Sequence, residues 1–72
     1  MEFKDLLKSK LNGDGVSQYE AAKIIGCKQS EISNYVAGKR RPGVTKLVEF
    51  ASFLGLPIEV VVESIKAQEG GV

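Results

Sequence analysis

Apolar residues recur at helical spacing in five stretches of the chain, and glycine or proline punctuates most of the gaps between them. From Met1 to Leu11 the repeat is Phe3, Leu6, Leu7 and Leu11, which predicts a first helix with those four residues in the core. Asn12-Gly13-Asp14-Gly15 is a cluster of turn residues, expected to stop that helix and reverse the chain. Ala21, Ala22, Ile24 and Ile25 give a second helix an apolar side, and the small Ala22 lets another helix come close. Ile32, Tyr35 and Val36 do the same for a third helix, running from about Lys28 to Ala37. Val44, Leu47, Val48, Ala51 and Leu54 form the stripe of a fourth, flanked by Phe50 and Phe53 and ended by Gly55.

The last stretch, Ile58 to Ala67, carries two signals at once. Its β-branched Ile58, Val60, Val61 and Val62 favour a strand. Ile58, Val61, Val62 and Ile65 nevertheless fall at helical spacing, and Pro57 is tolerated in a helix's first turn. A fifth helix is the expectation, with a strand pairing to a second subunit as the alternative. Gln68 to Val72, containing Gly70-Gly71, reads as a flexible tail. Seventy-two residues support one small core, so the expected organisation is a single all-α, five-helix domain over residues 1–67 with a tail at 68–72.

The junction between the second and third helices is the most informative stretch. Ser17 followed by Glu20 is a capping box, in which hydroxyl and carboxylate satisfy free N–H groups at a helix start, and Val16 and Ala21 are spaced as a hydrophobic staple. Gly26 supplies the left-handed residue with which a helix commonly ends. With Ile32, Tyr35 and Val36 turned inward, Gln29, Ser30, Ser33, Asn34 and Ala37 are left on the outer surface of the third helix. A helix pair about a glycine, whose second member shows amides and hydroxyls, is a helix-turn-helix suited to reading base edges in a DNA groove. Lys39-Arg40-Arg41-Pro42 follows directly, placing three cations beside that helix to grip the phosphate backbone, while Pro42 biases Arg41 towards an extended conformation.

Charge supports the same direction. The net charge of +1 conceals six bases against one acid between Lys23 and Lys46, or +5, and one base against four acids from Leu47 onward, or −3. A basic centre with an acidic end suits a protein that meets phosphates on one face only. One cysteine and no histidine exclude an internal disulfide framework and argue against zinc, leaving Cys27 as a small turn residue or a redox sensor. No catalytic assembly, cofactor site or small-molecule site can be named. The longest apolar region is broken by charge, glycine and proline, so no membrane span is expected; no leader marks the chain for export, and a cytoplasmic location is expected.

With those residues in view, SQYEAAKIIGCKQSEISNYVAGKRRP and KLVEFASFLGLPIEVVV resemble the lambda-repressor-like class of helix-turn-helix domains, shared by phage Cro and repressor proteins and the XRE-type regulators. The resemblance implies a five-helix fold that binds a two-fold symmetric operator as a dimer. It implies that Gln18 holds a phosphate and buttresses Gln29, that Gln29 opens the reading helix, and that Ser33 and Asn34 make further base contacts. It also implies backbone contacts from Lys39, Arg40 and Arg41. Gly43 stands where many members carry a serine cap, and Pro57 replaces the usual cap of the last helix.

The functional expectation is a sequence-specific transcriptional regulator, Cro-like and of phage or prophage origin, bound to double-stranded DNA as a homodimer. Gln29 and Asn34 are expected to pair with adenine edges, Ser30 and Ser33 to read less selectively, and Lys28 to touch guanine or phosphate. Phe53, Leu56, Val60, Val61 and Val62 are candidates for the dimer contact. The alternative is a protein-interaction module on the same fold, an antitoxin or a transcription adaptor.

Overall fold

The apolar repeat sets five helices in order: α1 Phe3–Asp14, α2 Gln18–Ile25, α3 Gln29–Val36, α4 Val44–Leu54 and α5 Ile58–Gly70. This computed structural model describes residues 2–70, and side chains for residues 2–68. Met1 and the end of the expected tail, 71–72, lie outside the described residues. No described helix is long and apolar enough to cross a membrane.

α1 packs against α3, α4 and α5, while α2 packs against α3 and α4, so every helix touches at least two others. The core is built from Phe3, Leu7 and Leu11 of α1, Ala21, Ala22 and Ile25 of α2, Ile32 and Tyr35 of α3, Phe50, Ala51 and Leu54 of α4, and Val61 of α5. At its centre Phe3, Tyr35 and Phe50 meet edge to face. Their ring centroids lie 6.3 Å (Phe3–Tyr35), 5.0 Å (Phe3–Phe50) and 5.2 Å (Tyr35–Phe50) apart, with planes at 88–89°. Such aromatic pairs contribute about 0.5–1.5 kcal/mol each beyond the area they bury.

Three expectations from the pattern change here. α1 does not stop at Leu11; it runs through Asn12-Gly13 to Asp14. Lys10 pairs with Asp14 at 2.7 Å across that extra turn, and only Gly15 takes the left-handed conformation, with the Val16 N–H closing onto the Leu11 carbonyl at 3.0 Å. α4 is rotated from the expected stripe. Phe50 is wholly buried, whereas Val44 and Val48 are 84% and 65% exposed; burying one phenylalanine removes more apolar surface from water than burying a valine. The same competition leaves Ile24 of α2 outside, at 62% exposure, since Ala21, Ala22 and Ile25 already fill that side.

The last stretch is helical throughout, with Val60 and Val61 N–H groups donating to the Pro57 carbonyl at 3.0 and 3.3 Å. Burial of Val61 and Ser64, with Ile65 packed against the core, overrides the strand propensity of its valines. Ser64 satisfies its buried hydroxyl by donating to the Val61 carbonyl at 2.6 Å. The helix also passes the expected boundary at 67. Gln68, assigned to the tail by sequence, accepts the Lys4 N–H through Oε1 at 3.2 Å. It thereby caps α1, whose preceding residue Glu2 makes no side-chain cap.

Truncating Phe50 removes the ring that touches both others. Phe50→Ala is expected to cost about 3–5 kcal/mol, read as a fall in the urea midpoint followed by circular dichroism. A loss below about 1 kcal/mol would show that the three rings do not hold the core.

Candidate nucleic-acid interface

The capping box forms as the sequence predicts: the Glu20 N–H donates to Ser17 Oγ at 3.1 Å, and the Ser17 N–H donates to Glu20 Oε1 at 3.3 Å. Val16 is half-buried against the core that Ala21 belongs to. At the other end of α2 the Gly26 and Cys27 N–H groups both donate to the Ala22 carbonyl, at 2.8 and 3.0 Å. Gly26 sits at φ +86°, a left-handed conformation that costs a side-chain-bearing residue about 1–2 kcal/mol. This tight ending redirects the chain from α2 into α3 across three residues, Gly26, Cys27 and Lys28.

A contact that the sequence does not reveal secures the same turn. Lys46 of α4 donates from Nζ to the Gly26 carbonyl at 3.0 Å, placing a cation at the C-terminal end of α2, where the helix dipole favours it. Counted by sequence among the bases of the central segment, Lys46 holds the turn. Its partner lies twenty positions away, and no local pattern signals so distant a pairing.

α3 begins at Gln29 after Lys28, whose N–H donates to Glu31 Oε1 at 3.3 Å. The lysine ammonium cannot return that bond, so the box is one-sided. Its effect is nonetheless important: the single acid of the central basic segment is engaged at the helix start, where a negative charge is favoured. Ile32 and Tyr35 are buried, and Gln29, Ser30, Ser33, Asn34 and Ala37 are all exposed. Gln29 and Ser33 are four residues apart, as are Ser30 and Asn34, so the four polar side chains share one face over two turns. Lys28 is exposed at the start of this face.

Gln18 is half-buried in the first turn of α2, and among the described residues no hydrogen bond joins it to Gln29 in the free chain. α3 closes with the Lys39 N–H on the Asn34 carbonyl at 3.0 Å and the Gly38 N–H on the Tyr35 carbonyl at 3.1 Å. Lys39, Arg40 and Arg41 then run exposed until Pro42, which is buried and pins the loop. With Gly43 in place of a serine, α4 starts with no side-chain cap.

Of the five candidate dimer residues, Val61 is wholly buried and serves the core; it presents nothing to a second molecule. Val60 is exposed, and Phe53, Leu56 and Val62 are half-buried around the corner between α4 and α5.

Two titrating groups adjoin α3. Burial pushes the Tyr35 hydroxyl above its ordinary range, with the Arg40 charge pulling against it. Burial also pushes up the Cys27 thiol; the Glu31 carboxylate adds to that rise and the Lys46 ammonium opposes it. A thiol held protonated is a poor nucleophile, which favours the packing role of Cys27 over redox sensing.

A protein-family model described as helix-turn-helix matches residues 7–61, from the middle of α1 into α5. No curated protein and no solved structure matches the chain.

Because the Cys27 pKa is raised on folding, its thiolate fraction near pH 8 is smaller in the folded chain than in the unfolded one. The pH profile of iodoacetamide alkylation is expected to have a higher midpoint for native protein than for protein in urea. A lower native midpoint would mean that Cys27 is activated.

Proposed function

The chain belongs to the XRE-type helix-turn-helix family, the lambda-repressor and Cro-like DNA-binding regulators, and on that premise we propose that it is a cytoplasmic, Cro-like repressor of phage or prophage origin that binds a two-fold symmetric operator as a homodimer. The observation that carries this reading is the exposed face of α3. Four short polar side chains stand there without a free carboxylate among them, and the cations of the following loop stand beside them.

Gln29 and Asn34 read adenine edges, because each amide donates and accepts at once and so matches the paired acceptor and donor of adenine in the major groove. Ser30 and Ser33 accept several bases. Lys28, at the N-terminal end of α3, meets a guanine or a phosphate. Lys39, Arg40 and Arg41 grip the backbone with Gln18, fixing register without reading sequence. One reading helix covers only a few base pairs, and two protomers on half-sites a helical turn apart supply the missing affinity. The corner formed by Phe53, Leu56, Val60 and Val62 is the surface where the second copy docks.

Reading and gripping residues predict different losses. Asn34→Ala is expected to relax preference at one operator position, removing about 1–3 kcal/mol of discrimination there. Arg40→Ala is expected to weaken all sequences nearly equally and to flatten the salt dependence of binding. Sites selected from a random duplex pool supply the operator, and anisotropy titrations on it and on single-base variants distinguish the two behaviours. A uniform loss in both variants would remove the division of labour.

The docking corner has its own test. Val60→Lys places a charge on an exposed position, so the fold is expected to survive while cooperative filling of the two half-sites is lost. Sedimentation on the duplex then shows one protomer where the unaltered chain shows two. Unchanged cooperativity would place the contact elsewhere.

A further inference from the structure

Lys4 lies thirty-five positions before the basic loop in sequence, yet its side chain crosses the end of the reading helix. A Cβ built on Gly38 would stand 2.8 Å from Lys4 Cδ and 3.6 Å from its Nζ. The glycine, at φ +77°, thus leaves open the space through which the lysine stem runs. Beside it is an open groove of about 460 Å³ lined by Gly38, Lys39, Arg40, Arg41 and Gln68. Among the described residues no lining side chain is a carboxylate. Gln68 turns its Oε1 to the Lys4 N–H, which leaves its amide N–H donors free of that contact. The basic loop and the end of α5 therefore form one groove whose described side chains are cationic or amide, and the Lys4 stem of α1 runs over Gly38 at its edge.

We propose that this groove is a binding site for a phosphate of the DNA backbone, and that Lys4 is a gripping residue at its edge. The proposal rests on the DNA-binding reading above and extends its footprint to α1 and α5. Among the described residues the Lys4 ammonium pairs with Glu2 Oε1 at 3.8 Å, and both side chains of that pair are more than a third exposed. So open and long an ion pair contributes little, and a phosphate competes with it readily. Gln68 sets the site by holding the first turn of α1 against α5, which keeps the Lys4 stem over Gly38.

The test is the slope of log K against log salt for a mixed-sequence duplex, measured by anisotropy on the full chain. Leaving one fewer phosphate neutralised reduces the slope by about 0.9. Lys4→Met keeps an apolar stem over Gly38 and removes the charge, so it is expected to reduce the slope by about one phosphate. Lys66→Gln, which removes the same charge from an exposed position on α5 outside the groove, is expected to leave the slope unchanged. Equal slopes for Lys4→Met and the unaltered chain, with Arg40→Ala still flattened, would overturn the role of Lys4 and leave the DNA reading intact. If neither Lys4→Met nor Arg40→Ala changes the slope, the loop does not grip DNA, and both readings fall. Thermal melting of Lys4→Met within a few degrees of the unaltered chain shows that the effect is not structural.

Discussion

The Tyr35 ring, set edge-on to Phe3 of α1 and Phe50 of α4, is the contact on which the geometry of α3 depends. A helix of eight residues has little intrinsic stability, so its rotation must come from what it buries. Two side chains, Ile32 and Tyr35, supply that burial. With the tyrosine ring locked between two perpendicular neighbours, α3 cannot roll without opening the core. Its outward face is fixed by elimination: Gln29, Ser30, Ser33 and Asn34 are exposed because the opposite side is fully committed.

The two ends of α3 are controlled separately. At its start Gly26 bends the chain sharply, Lys46 holds the glycine carbonyl, and Glu31 turns back to the Lys28 N–H. At its finish Gly38 ends the helix and makes room for Lys4, while buried Pro42 anchors the far side of the loop. These devices draw on α1 and α4 as well as the helix pair itself. The charge distribution follows the same plan. Cations collect around the two ends of α3, and Glu49, Glu59 and Glu63 lie exposed on α4 and α5. A field of this kind orients approach to a polyanion before any base is met.

The local signals were the legible ones. Ser17 and Glu20 capped α2 as their spacing predicted, and Gly26 and Gly55 ended helices where expected, because each effect acts within one turn of chain. Competition for the core was not legible. Val44 and Val48 match the helical repeat as well as Phe50 does, and only the presence of Phe3 and Tyr35 across the core decides which side of α4 is buried. Asn12 and Gly13 have turn-forming composition, but an ion pair and the next glycine carry the helix one turn further. The site divided in the same way. The polar face of α3 and the basic loop can be read from spacing, whereas Lys46 at the turn and Gln68 at Lys4 depend on partners twenty and sixty-four positions away.

What remains decisive is whether the amide-bearing side of α3 enters the duplex. An amide-detected NMR titration of the labelled chain with its selected operator duplex answers this directly. The account predicts that the Gln29 and Asn34 side-chain amides and the backbone of residues 28–41 shift most, with exposed positions of α5 such as Glu59 and Glu63 nearly unmoved. Shifts concentrated on α5, with α3 silent, would contradict it.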